Sequence, residues 1–217
     1  ALPISPVYVL TGIHILIIQI LNTVIFFVVT SVICISFSSN LQKAEQHLML
    51  YNIELQQQAG TDPLTTLYNR RRMEEVLQNH IRANPNENFS IAIGDIDFFK
   101  KINDSYGHNL GDEVLVELCN LITKNLRKTD LFARWGGEEF VCLLPDTDAH
   151  GALTLAENIR EKVEEKHFYH VGHITISLGV YQMSPRDIFV GNIIEKADKA
   201  LYKSKNSGRN KVSLWLD

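Results

Sequence analysis

The apolar positions of the chain fall into two regimes. From Ile13 to Phe37 Ile, Val, Leu and Phe dominate, and no Asp, Glu, Lys or Arg occurs before Lys43. As a helix this run is about 37 Å long, enough to span the hydrocarbon core of a bilayer with some tilt. It reads as a transmembrane helix, because no basic segment precedes it and it is too long for the apolar region of a signal peptide. Gln19, Asn22 and Thr23 lie near its middle, where polar side chains hydrogen-bond a neighbouring helix, so a partner helix is expected. Between Ser38 and Gly60 the pattern changes to Gln, Glu, Leu and Lys, with Leu41, Leu48 and Leu55 seven residues apart. That spacing suits a short parallel coiled coil whose second seam is Ala44, Tyr51 and Gln58, or Glu45 and Asn52; a solvated linker helix fits the same residues. Gly60 ends the segment, and Pro63 holds Asp62 away from helical geometry.

Downstream, helical and alternating patterns succeed one another. The periodicity predicts a helix over 70–82, a strand over 89–97, a helix over 111–125, strands over 131–135 and 139–144, and a helix over 149–165. A strand over 174–181, a helix over 190–205 and a last strand over 211–216 follow. This is an α/β or α+β sheet domain. Gly136-Gly137 between the two middle strands predicts a two-residue type I′ hairpin, in which both residues need positive φ.

Composition narrows the function. The chain has 217 residues with 21 Lys plus Arg against 25 Asp plus Glu, a formal charge of −4. Its soluble part is one ordinary domain, and a mildly acidic balance leaves no electrostatic footprint for nucleic acid. The three cysteines, Cys34, Cys119 and Cys142, are too few and too widely spaced for a disulfide framework or a CxxC metal site, so a reducing compartment is expected. Lys43 and then Arg70, Arg71 and Arg72 follow the apolar run and nothing basic precedes it, which places the C-terminal domain in the cytoplasm. The chain begins with Ala and a short apolar lead, as a piece of a longer membrane protein would.

Candidate chemistry gathers at two places. The apolar run Ile91-Ala92-Ile93 leads into Asp95 and Asp97, which project to one side of the strand. Glu138 and Glu139 directly follow the Gly-Gly turn. Acids from two strands, with glycine beside them so that a phosphate can approach the backbone, suit Mg²⁺-assisted phosphoryl chemistry; solvated surface acids would have the same spacing. His167, His170 and His173 are spaced by three, which sends neighbours on a strand to opposite faces and argues against a metal cluster. Cys119 and Cys142 read as core residues, and Trp135 as a packing residue.

Arg134-Trp135-Gly136-Gly137-Glu138-Glu139-Phe140 resembles the signature of the GGDEF family, the diguanylate cyclases, in its GGEEF variant. Five further segments resemble family blocks in family order: TDPLTTLYNRR from Thr61 to Arg71, GDIDFFKKIND from Gly94 to Asp104, YGHNLGD from Tyr106 to Asp112, ITISLGV from Ile174 to Val180 and ADKALYKSKNSGRN from Ala197 to Asn210. The resemblance covers about residues 60 to 217. It divides the chain into a transmembrane segment (1–37), a signalling helix or coiled-coil linker (38–60) and a cyclase domain (61–217). It implies a central sheet flanked by helices, like the palm of nucleotidyl cyclases and polymerases, and the condensation of two GTP into cyclic di-GMP with release of two pyrophosphates across a homodimer. An alternative is a silent GGDEF domain that binds GTP or cyclic di-GMP and acts by interaction.

By residue, the resemblance implies that Asp95, Glu138 and the main-chain carbonyl of Ile96 hold Mg²⁺ or Mn²⁺, two ions per site. Glu138 also assists deprotonation of the attacking ribose 3′-hydroxyl, and Glu139 contributes to the second ion. Asn103 and Asp112 match guanine contacts. Lys100, Lys205 and Arg209 match phosphate contacts, with the amides of Phe98 and Phe99 nearby and His108 as a further substrate contact. Arg127 and Asp130 form an RxxD that resembles the family's inhibitory product site, with Arg160 as a secondary contact. The implied location is the cell inner membrane, with the cyclase domain cytoplasmic. Thr66 departs from the family pattern, which usually has Gly there; if the position needs positive φ, Thr is strained.

Overall fold

The computed structural model describes residues 12–83, 89–184 and 187–216. The chain divides between Leu55 and Gln56 into two units. The first is built from α1, a single helix over Gly12–Ala59 of 48 residues. The change of composition at Ser38 does not interrupt it. Its apolar side chains lie outward, with Ile13 70% and Phe37 65% exposed, so no protein covers this surface within the unit. Among the described residues it is the one helix long and apolar enough to cross a membrane. Gly60, at φ 73°, follows the end of α1 in the left-handed conformation that closes helices and that glycine adopts without strain.

The second unit is a six-stranded sheet in the order β1-β3-β4-β2-β7-β8. Its strands are β1 (Tyr68–Asn69), β2 (Phe89–Ile96), β3 (Leu131–Arg134), β4 (Glu139–Pro145), β7 (Ile176–Gln182) and β8 (Val212–Trp215). The four inner strands are antiparallel, and β1 and β8 add parallel edges. Every residue of β2 is buried, as expected of a central strand with both faces covered.

Alternation along β2 sends its side chains to two separate cores. Ala92 and Ile96 face α3 (Phe99–Tyr106), α4 (His108–Thr123) and α5 (Ala149–Glu165), joining Leu118, Ile122 and Ile159. Phe89, Ile91 and Ile93 face α2 (Arg70–Ala83) and α6 (Val190–Asn206), joining Leu77, Ile193 and Leu201. The α6 helix lies directly on β7 at Gly179: a Cβ there would meet the Leu201 nitrogen at 2.1 Å and the Ala197 oxygen at 2.2 Å. Only glycine lets the helix approach this closely, and α6 carries Lys205 to the sheet's chemical edge.

Three local expectations are corrected. The helix expected over 111–125 is preceded by a second one, because α3 and α4 are separate and break at Gly107, φ 85°. The strand expected over 174–181 begins at Ile176, and before it β5 (His167–Phe168) and β6 (Gly172–His173) form a small hairpin. The Gly136-Gly137 turn is not type I′, since neither glycine has positive φ. The loop is longer than two residues: the amides of Trp135 and Gly136 both donate to the Glu139 carbonyl, at 2.8 and 3.3 Å.

Candidate active site

Asp95 stands one residue from the end of β2, on the α2/α6 face, opposite Glu139 in the β2–β4 register. Lys205 in the last turn of α6 reaches it, Nζ to Oδ2 2.8 Å. Burial pushes the Asp95 carboxyl above its ordinary range, against the pull of Lys205 and with a further push from Asp97. Burial likewise raises Glu138, helped by the charges of Asp95 and Glu139 and opposed by Lys205. These are carboxylates crowded in a half-dry place and in need of positive charge.

That crowding fits a hard divalent cation. Among the described residues no three His, Cys, Asp or Glu side chains converge as a self-sufficient metal cage. Mg²⁺ does not demand one, because it is held by one or two carboxylates and completed by substrate phosphates and water. Asp95, Glu138 and the carbonyl of Ile96 at the end of β2 supply oxygen donors of that kind.

The space around the two hairpin glycines differs. A Cβ on Gly136 would sit 2.9 Å from the Glu139 carboxylate, whereas one on Gly137 would meet nothing within 4 Å. The hairpin is held from behind by Arg134, whose Nη2 donates to the Gly137 carbonyl at 2.7 Å while Nη1 reaches both carboxylate oxygens of Asp62 at 3.2 Å. Asp62 also accepts from the Thr65 amide at 2.8 Å and hydroxyl at 2.7 Å. Burial works to raise the Asp62 carboxyl, but Thr65 and Arg134 together hold it below the usual range. The turn at Asp62 and the acid-bearing hairpin are therefore one bonded unit. Sequence reasoning missed this pair, although both residues lie inside the segments that carried the resemblance. In the same turn Thr66 has φ 60°, the strained conformation its departure from glycine had raised.

Asn103 on α3 lies against α4 at Gly111, the residue before Asp112, where a Cβ would meet Asn103 Oδ1 at 1.9 Å. Asp112 borders an open cleft of about 410 Å³ with Leu64, Glu113, Val116, Glu117 and Asn120, while Asn103 is not part of its lining. Lys100 is exposed on α3, and His108 is exposed as the first residue of α4. Phe98 precedes α3 with φ 60°, its ring half exposed, and Phe99 is buried.

Asp97 shares the face of Asp95 but has a different task. Its carboxylate accepts from Thr175 Oγ1 and Ser177 Oγ, both at 2.7 Å, and from the Asn210 amide at 2.9 Å. It is saturated by β7, the segment before it and the loop after α6. The Arg209 guanidinium lies 4.5 Å from the centroid of the Phe98 ring.

Arg127 and Asp130 occupy the turn before β3, where the Arg127 amide donates to Asp130 Oδ2 at 2.7 Å. Asp130 Oδ1 is buried and makes no hydrogen bond. Beside them Arg127 opens onto a polar cavity of about 460 Å³ lined by Asp146, Thr147, Asp148 and Gly151. Arg160 does not join this group: its side chain is 14% exposed and is occupied by Glu157, Glu164 and Asn210 at 2.6–2.9 Å. A product contact by Arg160 requires it to exchange these partners, of which Glu157 and Glu164 are themselves exposed. Cys119 and Cys142 are buried, and burial pushes the Cys119 thiol up to about 12, as befits core residues. His167 and His173 face each other across the β5–β6 hairpin with ring centroids 5.5 Å apart. Trp135 packs against the second core, with the Arg70 guanidinium 4.7 Å from its ring.

The central sheet thus carries an acid at the end of β2, paired with Lys205, and a second acid on the adjoining hairpin. Residues 59–211 match the family described as diguanylate cyclase, GGDEF domain, and the chain belongs to that family. It is 41% identical over 175 residues to diguanylate cyclase A of Treponema denticola, covering 77% of this chain and 47% of that protein. The chain thus spans about half the length of that curated relative. Among solved structures it resembles the GGDEF domain of DgcB from Caulobacter crescentus in complex with c-di-GMP, at TM-score 0.69 and 34% identity over 72% of this chain and 95% of that one. It also resembles the active GGEEF domain of a diguanylate cyclase from Vibrio cholerae, at TM-score 0.66 and 34% identity, covering 69% of this chain and 97% of that one.

Proposed function

We propose that this chain is the catalytic part of a membrane-anchored diguanylate cyclase. The observation that carries the reading is the Asp95–Glu138 acid pair at the meeting of β2 and the hairpin, both carboxyls raised by burial and Asp95 bonded to Lys205. Asp95, Glu138 and the Ile96 carbonyl would hold Mg²⁺ or Mn²⁺, two ions per site with Glu139 aiding the second, and the ions would supply Lewis-acid charge to the triphosphate. Lys100, Lys205, Arg209 and the amides of Phe98 and Phe99 neutralise and orient the phosphates, and His108 is a further substrate contact. On binding, Lys205 exchanges its partner Asp95 for phosphate oxygens. Asn103 and Asp112 select guanine, since a carboxylate accepts from the N1–H and the 2-amino group of guanine, neither of which adenine has.

The ribose 3′-oxygen of one GTP attacks the α-phosphorus of the other, with Glu138 assisting removal of the hydroxyl proton, and pyrophosphate leaves. Two such displacements close the ring and release two pyrophosphates. One domain holds one substrate, so the reaction needs a homodimer, and alignment of two bound substrates replaces a bimolecular collision. The continuous α1 helix, with its exposed apolar surface and leucines seven apart, supports membrane anchoring and dimer formation with the catalytic domain on the cytoplasmic side. Arg127 and Asp130 bind the product as a feedback inhibitor, and the orphaned Asp130 Oδ1 is an acceptor suited to a guanine donor.

The test is release of pyrophosphate from GTP by the full chain in detergent with Mg²⁺. Asp95→Ala and Glu138→Ala are expected to abolish it while the far-ultraviolet circular dichroism stays unchanged, and full turnover in either variant sinks the assignment. Arg127→Ala is expected to raise the cyclic di-GMP concentration needed for half inhibition by at least about tenfold, the loss of roughly one charge-assisted contact. Unchanged inhibition removes the product site from the account.

A further inference from the structure

Three features converge on Arg209. It sits in the loop after α6 with φ 61°, and its neighbour Asn210 has φ 46°, two successive non-glycine residues in the left-handed region. Such residues are held there only when their surroundings outweigh the strain. One restraint is Asp97, whose buried carboxylate accepts the Asn210 amide at 2.9 Å while tied to Thr175 and Ser177. A second is the bond from the Arg209 amide to the Ser204 carbonyl at 3.1 Å. The third acts on the side chain: the guanidinium rests 4.5 Å from the centroid of the Phe98 ring, and the Lys101 ammonium is also 4.5 Å from that centroid.

Phe98 is itself 51% exposed and has φ 60°, so it is neither core nor relaxed backbone. An exposed aromatic ring in a strained turn contributes little to folding by burial, and its contacts here are cations. We infer that Phe98 is a positioning residue, which acts through Arg209 by holding the guanidinium by cation–π attraction in the orientation that meets the triphosphate. The inference rests on the proposed phosphate contact of Arg209. Asp97 fixes the backbone of the arm and Phe98 fixes its tip, so the flexible arginine loses less rotamer freedom when substrate binds.

The experiment is a double-mutant cycle on the full chain in detergent, read as KM for GTP and kcat, with competitive inhibition by guanosine as a phosphate-free control. Phe98→Leu, which keeps the backbone amide, is expected to raise KM by about two- to five-fold, the size of an exposed cation–π contact, and to alter kcat and guanosine inhibition by less than that. Phe98→Tyr, which keeps the ring, is expected to restore the wild-type KM. In an Arg209→Ala background, Phe98→Leu is expected to add nothing further. Phe98→Leu with wild-type KM, or with an equal effect whether or not Arg209 is present, overturns the inference while the raised KM of Arg209→Ala still upholds the phosphate contact. An Arg209→Ala variant with wild-type KM overturns that contact and the inference with it.

Discussion

Replacing Thr66 by glycine is expected to stabilise the domain, which is uncommon for a glycine substitution. Thr66 has φ 60°, and in the left-handed region an L side chain costs roughly 1–2 kcal/mol. Its amide donates to the Asp62 carbonyl at 2.8 Å, a bond that glycine keeps, and the side chain is exposed. Against the relieved strain stands the extra freedom of glycine in the unfolded chain, about 0.5–1 kcal/mol. The balance is a gain of about 0.5–1 kcal/mol, a rise in Tm of about 1–4 °C for a domain of this size. Thermal unfolding of the full chain in detergent, followed by near-ultraviolet circular dichroism, measures it, with Thr66→Ala as a control that retains the positive φ. A Tm that stays level or falls in Thr66→Gly, or rises equally in Thr66→Ala, refutes the strain argument.

Gly179→Ala is expected to cost at least about 1–3 kcal/mol, because the new methyl meets α6 backbone, which cannot rotate away; activity should fall with Tm as Lys205 shifts, and a wild-type Tm contradicts the packing. Asp62 has its carboxyl held low, so its contribution to stability is present above the unfolded value and is lost as pH falls through the lower folded one, that is, below about pH 4. Asp62→Asn should therefore be less stable at pH 7 and show a flatter acid limb in urea titrations, and parallel wild-type and variant curves count against it. Because Asp95 and Glu138 are raised, protons compete with the metal above the ordinary carboxylate range. The acid limb of turnover should move to lower pH as Mg²⁺ increases, and a limb insensitive to Mg²⁺ rules out those acids as ligands.

The sequence made much of the architecture legible because its pattern and local chemistry agree. Residues 149–165 read as a helix and form one with those bounds, and the buried run at Ile91 became the sheet's centre. Failures came where tertiary bonds decide. Gly136-Gly137 looked like a turn with two left-handed residues, but the loop takes its shape from the Glu139 carbonyl and from Arg134 clasping Gly137. The α3 helix was hidden because its eight residues bury only Phe99 and Ile102, too few to set a period. Asp97 and Asp95 are equivalent by alternation, and the hydroxyls of Thr175 and Ser177 with the Asn210 amide set Asp97 apart as an anchor.

The most direct measurement is to incubate the full chain in detergent with GTP and Mg²⁺ and separate the products by chromatography. The account predicts cyclic di-GMP and pyrophosphate in a ratio of one to two, at a specific rate that rises with protein concentration as dimers form. GTP bound but unconverted at every concentration, with Asp95 and Glu138 intact, would contradict it and leave a nucleotide-binding domain in place of an enzyme.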